Sequence, residues 1–158
     1  MVGVLLIALW LLVAGPAFAQ AAVTDAAARG FVARQERAWN TGDLAAYFAD
    51  YAPGASFTDQ AYVGDKPPVP YGTSNLTQAR AQVAKAMTRS KVHETVRIGR
   101  VTATPDGRTV TVVARVASTL QTAGKTRRLC AVRRQTLISH QGRVLSTGRT
   151  DTYYPCPR

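Results

Sequence analysis

Negative charge is what this chain has least of. Its 158 residues carry 9 Asp and Glu against 20 Lys and Arg, a net charge of +11. Lysine is scarce too, with four residues beside sixteen arginines. Charged residues at 18% and hydrophobic residues at 46% exclude an acidic disordered tail and a multi-span membrane protein, leaving one globular domain. Two cysteines are too few for a zinc ribbon or a disulfide scaffold. No group of His, Cys or carboxylates has metal-ligand spacing, so no metal is expected. No Gly-x-Ser-x-Gly, phosphate-binding glycine loop or dinucleotide fingerprint occurs, and no other cofactor is expected either.

Long apolar runs are nearly absent as well. The one that stands out, Val4 to Ala14, has eleven residues and is followed by Gly15-Pro16 and Ala17-Phe18-Ala19. As a helix it would rise about 16 Å, against a hydrocarbon core of roughly 30 Å. Apolar core, helix break and A-x-A site read as a secretory signal peptide over residues 1–19, although no Lys or Arg precedes the run. An uncleaved anchor is the alternative. Cleavage would leave 20–158 as a single periplasmic or secreted domain with no stable membrane span and the full +11 charge. In an oxidising compartment Cys130 and Cys156 are expected to pair. The bridge would close a loop of about 25 residues and contribute roughly 3 kcal/mol.

The pattern along the chain changes period once. Asp25 can cap a helix with Phe31, Gln35, Ala38 and Trp39 on one face, ended by Asn40-Thr41-Gly42. Asp43 starts a short second helix through Leu44, Tyr47 and Phe48. Ala55 to Asp59 reads as a short strand, and residues 60–72, with Pro67, Pro68 and Pro70, as a loop. Ser74 or Asn75 caps a third helix striped by Leu76, Ala79, Val83 and Met87. Four β-branched runs follow, 92–103, 108–121, 126–139 and 143–154, separated by hairpin signals at Pro105-Asp106-Gly107, Ala123-Gly124 and Gln141-Gly142. In the second run Val110, Val112, Ala114, Val116 and Leu120 share a buried face. The expected class is α+β: three N-terminal helices on a strongly curved, mostly antiparallel sheet, cone-shaped, with a pocket where the helices do not reach.

Specific residues point to a family. Ala38-Trp39-Asn40-Thr41-Gly42-Asp43-Leu44, then Tyr51-Ala52-Pro53-Gly54-Ala55-Ser56-Phe57-Thr58-Asp59, resemble the opening of nuclear transport factor 2-like proteins, in their SnoaL-like and ketosteroid isomerase-like branch. Tyr71-Gly72-Thr73 and the four-strand tail fit the same pattern. The resemblance implies the cone fold over the whole mature chain. It sets Asp59 where the isomerases carry their proton-abstracting aspartate, which an apolar pocket would make more basic. It departs elsewhere: the oxyanion-binding tyrosine falls on Gln35 and the protonated aspartate of the late strand near Arg134. A cation beside Asp59 would lower its pKa, so steroid isomerisation by the family mechanism is not expected.

Other candidates are ligand contacts. Trp39, Tyr62 and Tyr71 could line a pocket mouth, and His93 begins the first long strand beside Glu94. A two-residue turn at Gln141-Gly142 would set Arg134 opposite Arg149, Val132 opposite Asp151 and Cys130 opposite Tyr153. Clustered arginines suit an anion, but no aromatic platform is interleaved with them, so nucleic acid is not an expected partner. Three readings follow: an exported domain holding a small, partly apolar or anionic ligand; an Asp59-dependent isomerase or dehydratase; and an envelope module forming a homodimer through its sheet face.

Overall fold

The structure is a computed structural model that describes residues 22–157; the expected leader, 1–19, lies outside them. Two helices, α1 (Asp25–Thr41) and α2 (Leu44–Ala49), open the described chain. Strands β1 (Tyr51–Ala61) and β2 (Val69–Asn75) follow, then α3 (Leu76–Met87). The chain closes with β3 (Lys91–Ala103), β4 (Thr109–Thr122), β5 (Lys125–His140) and β6 (Arg143–Tyr154). The α+β class and the four-strand tail agree with the sequence. The helices do not form one N-terminal block, because α3 follows the β1–β2 pair.

Local signals explain the element ends. Thr24, one residue before the expected cap, accepts from Ala27 N–H at 3.1 Å, and Asp25 instead pairs with Arg29 one turn on, at 2.6 Å. Gly42 leaves α1 at φ 73°, a left-handed position that suits glycine. Asp43 caps α2 through Ala46 N–H, and Asn75 and Gln78 form a reciprocal capping box on α3. The hairpin tips Ala123-Gly124 and Gln141-Gly142 have positive φ at both residues, matching the twist of the flanking strands.

The sheet is curved and open, in the order β2-β1-β6-β5-β4-β3, with β1 and β6 parallel and every other pair antiparallel. The segment read as a loop over 60–72 is partly strand: Val69 and Pro70 pair with Ala61 and Gln60. Proline is tolerated there because β2 is an edge strand. The other edge, β3, is covered by α1. Asn40 bonds both the N–H and the C=O of Glu94, at 2.7 and 2.8 Å, and the Glu36 carboxylate accepts from Val96 N–H.

All three helices lie on one face. Ala28, Phe31 and Val32 of α1 pack on Val110, Val112 and Leu137, while Tyr47, Phe48, Tyr51, Phe57 and Ala79 form a second, aromatic cluster. Phe31 and Leu137 have no exposed surface. Burial of such side chains stabilises by about 1.5–3 kcal/mol each.

One bulge resets the β5–β6 register. Leu137 faces Ser146 as a two-residue turn requires, but Thr136 faces Gly148, leaving Thr147 unpaired. Beyond it every pair shifts by one from the expected register. Arg133, not Val132, faces Asp151; Arg134 faces Thr150, not Arg149; and Cys130 faces Tyr154. Gly148 permits this, with φ 147° and a position where a Cβ would sit 2.1 Å from the Ser56 carbonyl oxygen. The shift also brings Cys156 closer to its partner: Cys130 and Cys156 form a disulfide with a Cα–Cα distance of 5.2 Å.

Candidate functional site

Because side chains alternate along strands, the phases of β3 and β5 turn Glu94 and Arg133 to the helix-covered face, and the β6 bulge turns Arg149 and Asp151 there as well. These four floor a cavity of about 170 Å³ whose walls include Trp39, Val92, Val116, Leu120 and Leu129, with Tyr153 at one side.

Arg133 holds the floor together. Its Nη1 and Nη2 donate to the two Glu94 oxygens at 2.6 and 3.1 Å, and its Nε and Nη2 donate to Asp151 at 2.8 and 3.1 Å. Ser118 adds a hydroxyl to Glu94 at 3.3 Å. Arg133 and both carboxylates are buried. Burial alone would raise the Asp151 pKa, but the guanidiniums of Arg133 and Arg149 outweigh it and hold the carboxyl below its ordinary value. Forked into two carboxylates, the guanidinium spends four of its five N–H groups on them, which leaves a single Nη1 hydrogen.

Arg149 differs. Its Nη1 donates to the Tyr47 hydroxyl, and its guanidinium lies 6.0 Å from the centre of the Trp39 ring. Its Nε is 3.4 Å from Asp151 Oδ2, an ion pair without hydrogen-bond geometry. Among the described residues two buried side-chain polar atoms lack a hydrogen-bond partner, Arg149 Nε and Trp39 Nε1. Both are donors, and both residues line the same cavity.

The residues singled out in the sequence scatter around this cavity, and Trp39 lines it. Gln35 is buried beneath it, where it donates to the Tyr47 carbonyl and accepts from Tyr51 and Gln135 at 3.1 and 3.3 Å. Asp59 stands behind Tyr153, whose hydroxyl lies 3.5 Å from Asp59 Oδ1. Burial raises the Asp59 pKa above its ordinary value; Arg149 opposes this and Asp151 adds to it. Tyr71 is exposed, but its ring lies 6.2 Å from that of Tyr153. Tyr62 is exposed in the β1–β2 connection, while His93 and Arg134 are exposed on the strand face opposite the helices. Glu94, Arg133, Asp151 and Tyr153 were not among the expected contacts. Alternation in β5 could have offered Arg133, since it is in phase with Leu129, Ala131 and Leu137. Its acidic partners come from β3 and β6, which sequence alone does not place.

No family model matches the chain, and no curated protein matches it. Solved structures do. A ketosteroid isomerase-like protein from Erwinia carotovora atroseptica superposes with a TM-score of 0.63 at 12% identity, covering 83% of this chain and 96% of that one. The β subunit of benzoate 1,2-dioxygenase from Burkholderia mallei gives 0.63 at 14% identity, covering 84% and 91%. A nuclear transport factor 2-like protein of unknown function from Shewanella oneidensis gives 0.59 at 18% identity, covering 80% and 97%. The chain therefore has the nuclear transport factor 2-like fold, as its opening motifs imply.

Proposed function

We propose that the protein is an exported binding domain whose cavity holds a small, partly apolar molecule through a carbonyl or carboxylate oxygen. The observation that carries this is one cavity lined by both of the residues that keep an unused buried donor, Trp39 (Nε1) and Arg149 (Nε). Buried donors without partners are costly and call for an acceptor. The volume suits a single ring, since an apolar cavity of about 150 Å³ accommodates benzene. The Arg133 floor is neutral, two guanidiniums against two carboxylates, so it selects for an oxygen acceptor more than for a full negative charge. The Cys130–Cys156 bridge and the apolar N-terminal segment support an oxidising, extracytoplasmic setting.

Titration of indole fluorescence with acetophenone, benzoate and toluene tests this reading. Both oxygen-bearing probes should bind, toluene about tenfold or more weaker, and Arg149→Met should remove that preference. Equal binding of all three, or none of any, contradicts it.

A second reading draws on the Asp59–Tyr153 pair. Asp59 does not line the cavity, so general-base chemistry would reach a bound molecule through the Tyr153 hydroxyl. The raised Asp59 pKa suits a base, and Asp59→Asn would then abolish turnover without weakening binding.

A further inference from the structure

The two faces of the sheet are charged differently. Within the six strands the acidic residues are Asp59, Glu94 and Asp151, and all three lie on the helix-covered face. The opposite, open face carries Arg97, Arg100, Arg115, Arg128 and Arg134, all exposed. None of the five has an ion-pair partner among the described residues, whereas Arg133 and Arg149 inside are both paired. Arg97 and Arg115 even face each other directly across β3 and β4, an arrangement that costs stability unless an anion comes between them.

The same face has a groove with these arginines as its walls. Thr95, Ala117, Cys130 and Tyr154 stand side by side across β3, β4, β5 and β6. Short side chains in the first three positions leave a trough roughly 14 Å long at the usual strand spacing. Arg97 and Arg115 rise two residues to one side, and Arg128 two residues to the other, enclosing about 370 Å³. Two copies meeting face to face would set five unpaired arginines against five more, which disfavours this surface as a homodimer contact.

We infer that the open face docks on an anionic phospholipid bilayer, with lipid phosphates entering the groove between Arg97, Arg115 and Arg128. Guanidiniums suit phosphate oxygens, and the groove holds no acid to repel them. The choice of a membrane as the polyanion rests on the export reading. The groove holds one aromatic ring, Tyr154 at its end, where a nucleic-acid site would interleave several for its bases to stack on.

The test is co-sedimentation of the full chain with phosphatidylcholine vesicles, with and without phosphatidylglycerol. The Val4–Ala14 run carries no charge, so the increment due to phosphatidylglycerol reads the charged residues elsewhere in the chain. Each arginine near such a surface contributes roughly fivefold in affinity. The Arg97→Gln/Arg115→Gln/Arg128→Gln variant should therefore lose about a hundredfold of that increment. The charge-matched Arg37→Gln/Lys85→Gln/Arg89→Gln variant should keep most of it, and added salt should weaken the wild type. These exchanges are at exposed positions, and an unchanged unfolding midpoint checks that the fold is kept. An equal loss in both variants reduces the effect to net charge and overturns the inference. So does a phosphatidylglycerol increment that survives in the groove variant. A wild-type dimer that the groove variant abolishes, or inorganic phosphate binding without a vesicle increment, overturns it as well. None of these outcomes bears on the cavity, so this inference and the binding reading fail separately.

Discussion

Arg133 and Arg134 are neighbours on one strand and have opposite fates. Arg133 points among the helices, is 6% exposed, and is forked into two carboxylates; Arg134 points outward and is exposed, with no ion pair. The pair shows how one backbone distributes a large positive charge. Within the sheet the acids lie beside the buried arginines, and the arginines that face water across it have none, whereas exposed Arg29, Arg34 and Arg108 outside the strands do pair with acids. The cavity floor is thus neutral and pre-ordered, while the open face is an uncompensated cationic surface.

The largest effect should come from breaking the inner half of that contrast. Arg133→Met leaves buried Glu94 with the Ser118 hydroxyl alone and buried Asp151 with Arg149 alone, and should cost about 3–5 kcal/mol in urea unfolding. Arg134→Met should change stability by no more than about 0.5 kcal/mol. Equal effects would show that the register is wrong. Next comes the covalent tie on the open face: Cys130→Ser with Cys156→Ser should lose about 3 kcal/mol in non-reducing unfolding. Gly148→Ala tests the bulge itself. With φ at 147° and a Cβ 2.1 Å from the Ser56 oxygen, it should lower stability by about 1–3 kcal/mol or more.

The smallest effect is a pH dependence of opposite sign at two carboxyls. Asp151 has a lowered pKa in the fold, so its stabilising contribution is present above its ordinary value and lost as acid protonates it. Asp59 has a raised pKa, so its contribution is present in acid and lost as pH rises through its folded value. Asp151→Asn should therefore destabilise at neutral pH, and Asp59→Asn should stabilise there yet change nothing in strong acid. Thermal unfolding across that range reads both.

Much of the fold was legible because it follows from local chemistry. Gly42, Asp43 and the capping box at Asn75 and Gln78 mark helix ends, and Ala123-Gly124 and Gln141-Gly142 mark hairpins, each through a short-range preference. Strand β2 was hidden because three prolines signal a loop, and only its edge position lets Pro70 pair. The candidate site was less legible for a related reason. The Thr147 bulge moves every partner beyond it by one, and that single step turns Arg149 and Asp151 from the open face to the cavity. Trp39 was visible from its place on the α1 face. The acids that neutralise the floor come from strands far apart in sequence, and no local pattern joins them.

Native mass spectrometry of the protein purified from its own host most directly tests whether the neutral cavity has an occupant. The account predicts a small oxygen-bearing molecule on the folded protein, released on denaturation and absent from Arg149→Met. A wild-type protein that carries no such molecule, and that binds neither acetophenone nor benzoate on titration, would contradict it.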